Sequence, residues 1–344
     1  MNKHRFNYKW NLADGYPESN GLKVFGTFIC GGGSTMGYKL AGFEHLGGVE
    51  IDPPIADVYK TNHNPKYLYV EDIRDFADRT EFPEDLYDLD ILDGSPPCSS
   101  FSMAGNREKD WGKEKKFREG QTVQTLDDLF FDYIKLAKKL QPKVIIAENV
   151  KGLIQGNAKV YVHKIKAALE DAGYKVQLFL LNAASMGVPQ KRERVFFICQ
   201  RKDLNYPKLE LRFDEKAILF KEVWTGKKGR DYTEKSLDYW TKTKRGESFS
   251  KAANGSWFNH CRLSSEKVIP TLTTETAAKY HLPDFPECID DDTIVLASSF
   301  PQDYNYMKNK ISYITGMSVP PIMTAQIATE INNQWFKHKK NGTK

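Results

Sequence analysis

Val24-Phe25-Gly26-Thr27-Phe28-Ile29-Cys30-Gly31-Gly32-Gly33-Ser34-Thr35-Met36-Gly37 runs from apolar residues into a glycine cluster. The first six read as a buried strand, and the glycines read as a turn that opens a helix. Such a turn lets a ligand approach the backbone, and the helix N-terminus offers amide donors without partners. Glu50, in Val49-Glu50-Ile51-Asp52, ends the next apolar run, where a ribose-binding carboxylate sits in dinucleotide folds. Asp72, in Glu71-Asp72-Ile73, adds a second acid one unit later. Two acids after a glycine turn suit a neutral nucleoside with free hydroxyls and an exocyclic amine. With no phosphate-binding lysine motif present, S-adenosyl-L-methionine fits better than NAD or ATP.

Working outward, short apolar runs alternate with amphipathic stretches. Leu46–Ile51, Asp88–Asp93, Val144–Ala147, Val176–Leu181 and Val195–Cys199 read as further strands, and Asp127–Leu140 and Lys159–Ala172 as helices. This rhythm predicts an α/β fold: a parallel or mixed sheet with helices on both faces. It stops near residue 200. Residues 201–260 are rich in Lys, Tyr, Trp, Gly and Ser with weak periodicity and read as a smaller inserted domain. Helical pattern returns over Pro320–Trp335 after the turn Gly316-Met317-Ser318-Val319-Pro320-Pro321.

The chain has 344 residues, 40% hydrophobic and 28% charged, which is ordinary for a globular protein and enough for two unequal domains. No apolar stretch approaches the roughly 20 residues that span a bilayer, and the start lacks a signal-peptide segment, so a cytoplasmic protein is expected. Five cysteines without a Cys-x-x-Cys pair predict free thiols and no metal. Residues 200–251 hold 14 Lys and Arg against 9 Asp and Glu, a basic stretch suited to a polyanion.

Three further segments carry reactive groups. Leu89-Asp90-Ile91-Leu92-Asp93-Gly94-Ser95-Pro96-Pro97-Cys98 places a thiol just beyond a strand end, where reactive groups gather in doubly wound folds. A thiol becomes a nucleophile when its pKa falls from roughly 8.5. Ala147-Glu148-Asn149-Val150 supplies a carboxylate, and Gln190-Lys191-Arg192-Glu193-Arg194 two guanidinium groups.

Together these residues resemble the cytosine-5 DNA methyltransferase family of bacterial or phage restriction-modification type, in order over most of residues 22–330. Gly94-Ser95-Pro96-Pro97-Cys98-Ser99-Ser100-Phe101-Ser102 is similar to its catalytic-loop motif. Ala147–Gly152 is similar to its carboxylate motif, and Val188–Val195 to its arginine motif. The resemblance implies a Rossmann-like methyltransferase fold with a target-recognition domain. The domains implied are a catalytic and cofactor-binding domain at 1–200, the target-recognition domain at 201–262 with an edge extending to about 285, and a returning part at 263–344.

By the same resemblance, Cys98 is the nucleophile that adds to cytosine carbon 6, and Glu148, Arg192 and Arg194 surround the base. Phe28, Gly31, Gly32, Gly33, Glu50, Ile51, Asp72, Ile73, Pro97, Leu129, Ser318 and Val319 fall on cofactor-contacting positions. The products are 5-methylcytosine and S-adenosyl-L-homocysteine. The target base must leave the duplex stack, at a cost of a few kcal/mol. Ser102–Gln124, with Gly105, Gly112 and Gly120, is expected to close over it. Lys227, Lys228, Arg230, Lys242, Lys244 and Arg245 are candidates for phosphates, while Trp224, Tyr232, Tyr239, Trp240 and Trp257 serve equally as small-domain core.

Implied partners are double-stranded DNA and a separately acting cognate restriction endonuclease; a monomer is expected. A tRNA cytosine methyltransferase and a non-catalytic DNA-binding relative are the alternatives. Three departures mark a divergent member: Cys30 where the family has glycine, Met317 where it has asparagine, and Asp290-Asp291-Asp292 in a segment that usually carries an arginine.

Overall fold

A computed structural model describes residues 4–97, 114–115, 124–125, 129–230 and 233–337. The apolar runs form strands β1 (Lys23–Thr27), β2 (Glu44–Glu50), β3 (Tyr67–Val70), β4 (Ile91–Gly94), β5 (Val144–Val150), β6 (Tyr174–Asn182) and β7 (Glu193–Arg201). They make one sheet in the order β3-β2-β1-β4-β5-β7-β6. The pairs from β3 through to β5 are parallel, and β7 runs antiparallel to β5. This is the mixed α/β sheet that the alternation predicts. The sequence reading does not single out β3, an edge strand of four residues with none of them buried.

Helices α1 (Gly33–Leu40), α2 (Pro53–His63), α3 (Ile73–Asp78), α4 (Leu129–Leu140) and α5 (Lys159–Asp171) accompany the sheet. Successive strand residues face opposite sides, so Leu92 and Asp93 mark the two faces. On the Leu92 side, Phe25, Ile145, Ala147 and Phe197 form one core with Phe76 of α3, Tyr133 of α4 and Ile165 of α5. The apolar residues of α4 recur at three- and four-residue spacing, which is why its Leu129, Phe130, Tyr133, Leu136, Ala137 and Leu140 are all buried. On the Asp93 side lies α1, whose Tyr38 hydroxyl donates to the Asp93 carboxylate.

The chain divides into two compact units. The sheet unit comprises Tyr16–Leu181, Glu193–Arg212 and Ala325–Lys344, and the smaller unit Met1–Gly15, Asn182–Arg192 and Phe213–Thr324. The smaller unit contains α6 (Glu234–Lys242), the short strands β8 (Glu247–Ser248), β9 (Cys261–Arg262) and β10 (Tyr280–His281), α7 (Asp291–Ala297) and α8 (Ile311–Met317). Its core joins Phe220, Leu263, Ile269, Leu282 and Ile294. Arg262 fastens it: the guanidinium donates to the carbonyls of Pro283, Trp240 and Thr243 and lies 3.8 Å from the Trp240 ring centroid.

The acidic run has a local cause. Asp290 accepts from the Thr293 N–H at 3.0 Å and caps α7, while Asp291 and Asp292 occupy the first turn, where negative charge meets the positive end of the helix. The expected C-terminal helix is present as α9 (Pro321–Ile331) and passes into a turn of π-helix at Asn332–Phe336, which the sequence pattern does not show. Among the described residues, no helix is long and apolar enough to cross a membrane.

Candidate active site

β1 ends because the chain enters left-handed conformations, at Phe28 (φ 55°), Cys30 (φ 46°) and Gly32 (φ 76°). Only glycine fits at residue 32. Its φ is left-handed, and a Cβ would collide with the His63 imidazole. His63 Nε2 donates to the Gly31 carbonyl at 3.2 Å, and burial pushes this imidazole down to about 3, so it stays neutral. The amide of Cys30 donates to Glu50 Oε2 at 2.9 Å and the amide of Asp52 to Oε1 at 3.0 Å. Burial pushes the Glu50 carboxyl up to about 7, against the pull of these amides. Glu50 therefore braces the turn from the end of β2.

The other residues expected at the cofactor from this half of the chain lie in the same unit. Phe28 and Ile51 are half-buried, and Ile73 and Leu129 are buried at the first positions of α3 and α4. Asp72 caps α3 through the Arg74 amide at 2.9 Å and pairs with the Arg74 guanidinium at 3.0 Å. The fit to a neutral nucleoside is good in its chemistry. The glycines keep side chains off the turn, and the Glu50 carboxylate, oriented by main-chain amides, has acceptor capacity left for a hydroxyl.

The carboxylate and arginine motifs meet across β5 and β7. Arg194 pairs with Val150 in the ladder, and its Nε lies 2.8 Å from Glu148 Oε1. Both side chains are largely buried, at 14% and 12% exposure, so the pair is shielded from water. Burial works against the Arg194 charge, and Glu148 restores part of it. The residue after Glu148 points elsewhere. Asn149 Nδ2 donates to the Pro96 carbonyl at 3.1 Å, and Asn149 Oδ1 accepts the Val150 amide. These bonds hold the segment that contains half-buried Pro97. Cys98 lies outside the described residues, and so does the stretch 102–124 apart from residues 114, 115 and 124.

Arg192, Ser318 and Val319 belong to the smaller unit. Arg192 is buried, with Nη1 donating to the Leu272 carbonyl and Nη2 to the Gly316 carbonyl, each at 3.0 Å. Ser318 gives its hydroxyl to the Ile314 carbonyl at the end of α8, Val319 is buried, and Met317 is exposed. The candidate phosphate contacts are mostly paired at the surface: Lys227 with Asp292, Lys228 with Glu287, Lys242 with Asp238 and Arg245 with Asp284. Trp224, Tyr239, Trp240 and Trp257 are half-buried, and Tyr232 lies outside the described residues.

Sequence reasoning does not reach Asn149, Asp93 or the polar group beneath the turn. There Thr35 bonds both His45 and Tyr59, at 3.3 and 3.0 Å, beside His63. A histidine or tyrosine inside an apolar run is the available signal.

A glycine turn braced by a strand-end carboxylate, with an acid–guanidinium pair on neighbouring strands, is an α/β arrangement suited to a nucleoside-like ligand. The model of the C-5 cytosine-specific DNA methylase family matches residues 22–291, and the chain belongs to that family. It is 35% identical over 211 residues to the type II methyltransferase M.FnuDI of Fusobacterium nucleatum, covering 59% of this chain and 55% of that one. To M.NgoPII of Neisseria gonorrhoeae it is 35% identical over 212 residues, covering 59% and 56%. The chain thus spans about half the length of these curated relatives. Among solved structures, a putative DNA modification methyltransferase encoded within an E. coli prophage superposes with TM-score 0.69 at 19% identity, covering 91% of this chain and 99% of that one, a likeness of fold. Membership in a methyltransferase family implies use of S-adenosylmethionine.

Proposed function

We propose that this protein is a DNA cytosine-5 methyltransferase acting on double-stranded DNA within a restriction-modification system. The family match and its type II relatives support the class, and the Glu148–Arg194 pair carries the reading for this chain. Gly31, Gly32, Gly33 and Glu50 would hold S-adenosylmethionine with Phe28, Ile51, Asp72, Ile73, Pro97 and Leu129, while Ser318 and Val319 are cofactor candidates by the family resemblance alone. When bound, that cofactor supplies an electrophilic methyl group.

Cytosine carbon 5 is a poor nucleophile, so Cys98 would add as thiolate to carbon 6 and leave later by elimination as the carbon 5 proton is lost. Glu148 would face ring nitrogen 3 and share a proton there, which offsets charge developing on the ring. Arg194 fixes the Glu148 carboxylate through its Nε contact. Arg192, spent on two main-chain carbonyls, would hold the segments around Leu272 and Gly316. Asn149 would set the approach of Pro97 and Cys98 through the Pro96 carbonyl. Recognition of the DNA sequence falls to the smaller unit, which holds most of the basic stretch, and a separately acting endonuclease would share the site.

The test is methylation of a mixed-sequence duplex library read by bisulfite sequencing, with Cys98→Ser as control. Protection of cytosines in one sequence context, absent with the variant, is the expected result. Protection by Cys98→Ser equal to that of the parent chain would remove the covalent mechanism. Methylation of tRNA and not duplex DNA would move the enzyme to the RNA branch.

A further inference from the structure

Asp93 is an acid within the apolar strand β4, 8% exposed, on the sheet face covered by α1. Its ladder neighbours are Gly26 of β1 and Ile146 of β5. Because strand side chains alternate, Glu148, two residues beyond Ile146, shares that face one diagonal step away. Tyr38 Oη donates to Asp93 Oδ1 at 2.9 Å, and the Ser34 side chain makes a second hydrogen bond to the carboxylate. Both donors sit on α1, the helix that the glycine turn opens. The remaining titratable groups facing Asp93 are Tyr59 of α2 and Glu148 of β5, with Arg194 paired to Glu148, while Tyr133 of α4 acts on it electrostatically from the opposite face of the sheet. None of its direct partners among these is a cation.

We propose that Asp93 is a positioning residue for the methyl transfer set out above: through Tyr38 and Ser34 its carboxylate fastens the helix opened by the cofactor turn to the strand end that leads through Pro97 to Cys98. The inference rests on that methyl-transfer reading. An ionised carboxylate accepts both hydrogen bonds as charge-assisted ones, roughly twice as strong as neutral ones, so protonation loosens the tie. Burial pushes Asp93 up to about 7, with the Glu148 charge adding to the rise and the two hydrogen bonds opposing it. The tie is therefore made and unmade across neutral pH.

Single-turnover methyl transfer to duplex DNA, measured from pH 6 to pH 8.5 for the parent chain, Asp93→Asn and Tyr38→Phe, tests this. The ionisation of Cys98 contributes to all three and cancels in ratios. The Asp93→Asn to parent rate ratio is expected near one at pH 6 and about tenfold lower at pH 8, with the dissociation constant for S-adenosylmethionine within about threefold. Tyr38→Phe, which keeps the ring and removes one donor, shifts the parent's neutral-pH rise to higher pH and remains informative if Asp93→Asn folds poorly. A ratio that is flat with pH for Asp93→Asn, together with an unshifted profile for Tyr38→Phe, would overturn the proposal and leave Asp93 a packing residue. Failure of the parent chain itself to transfer methyl groups would instead remove the underlying activity.

Discussion

The sheet unit and the smaller unit each bury a set of polar side chains, and the two sets answer protons differently. In the sheet unit, burial pushes the acids Glu50 and Asp93 up to about 7 and His63 down to about 3, with His45 also well below its usual range. In the smaller unit there are bases and a thiol. Cys288 lies 3.7 Å from His281 Nδ1, and His281 Nε2 lies 3.1 Å from His260 Nδ1. Burial holds His281 down to about 3 and His260 down to about 4, and pushes the Cys288 thiol up to about 11. With the thiol protonated and both rings neutral, Cys288, His281 and His260 form a hydrogen-bonded chain whose direction is set by the ring tautomers, and Phe249 stacks on the His281 ring at 4.4 Å. The first arrangement stores carboxyl groups where a ligand's hydroxyls are expected; the second is a core that happens to be polar.

One ion pair from each unit, the first shielded and the second at the surface, gives the largest predicted effect. Glu148–Arg194 is shielded, so Arg194→Ala strands a carboxylate and costs about 3–5 kcal/mol. Lys242 pairs with Asp238 one helical turn away at the surface, both more than half exposed, and Lys242→Ala costs at most about 0.5 kcal/mol. Denaturant unfolding of both variants checks the contrast. Equal losses would mean that water reaches the Glu148 pair.

Acidification separates the units next. A histidine held below 6.5 in the folded state binds its proton only in the unfolded chain, so stability falls as pH drops from about 6.5 toward the folded value. An acid held above its usual range does the reverse: its penalty is largest above pH 7 and is relieved as pH falls toward 4. The smaller unit has His260 and His281 with no raised carboxyl in their chain, whereas in the sheet unit relief at Glu50 and Asp93 offsets the cost at His45 and His63. Between pH 7 and pH 5, hydrogen exchange is expected to quicken in β9 and β10 before it does in β1 and β4, by about tenfold or more. Earlier loss in β1 and β4 would break the comparison.

What is legible in the sequence follows the same division. The sheet is readable because its strands are continuous apolar runs buried on both faces, as Ile91-Leu92 and Val144–Ala147 are. Glu50 stands out as an acid closing a strand after a glycine turn, although its bonds to the Cys30 and Asp52 amides are not encoded in that spacing. Asn149 and Asp93 do not stand out, since their work lies in contacts to Pro96 and Tyr38 that no local spacing encodes. Arg192 and Arg194 look equivalent two residues apart, yet one holds carbonyls in the smaller unit and the other a carboxylate in the sheet unit. The strands of the smaller unit are two residues long, too short for any periodicity to announce them.

The smallest predicted effects set like against like, because each unit holds a non-glycine residue in the left-handed region. Cys30 has φ 46° and Trp257 has φ 57°. For an L-residue this conformation costs roughly 1–2 kcal/mol, which glycine avoids, while glycine loses roughly 0.5–1 kcal/mol through the freedom of the unfolded chain. At Trp257 that gain is outweighed. Its ring packs on Tyr239, Phe249 and His260 with centroids at 5.2, 6.4 and 4.3 Å, and Trp257→Gly is expected to destabilise by about 2 kcal/mol. At Cys30 the half-buried side chain packs less, and the main-chain N–H that serves Glu50 survives the substitution. Cys30→Gly is therefore expected to stabilise by about 0.5 kcal/mol and to leave affinity for S-adenosylmethionine unchanged or slightly tighter, as read by thermal melting and calorimetry. A destabilised Cys30→Gly would mean that the thiol contributes packing at the turn, and the divergence from the family's glycine would then be a compensated change of core and not a tolerated strain.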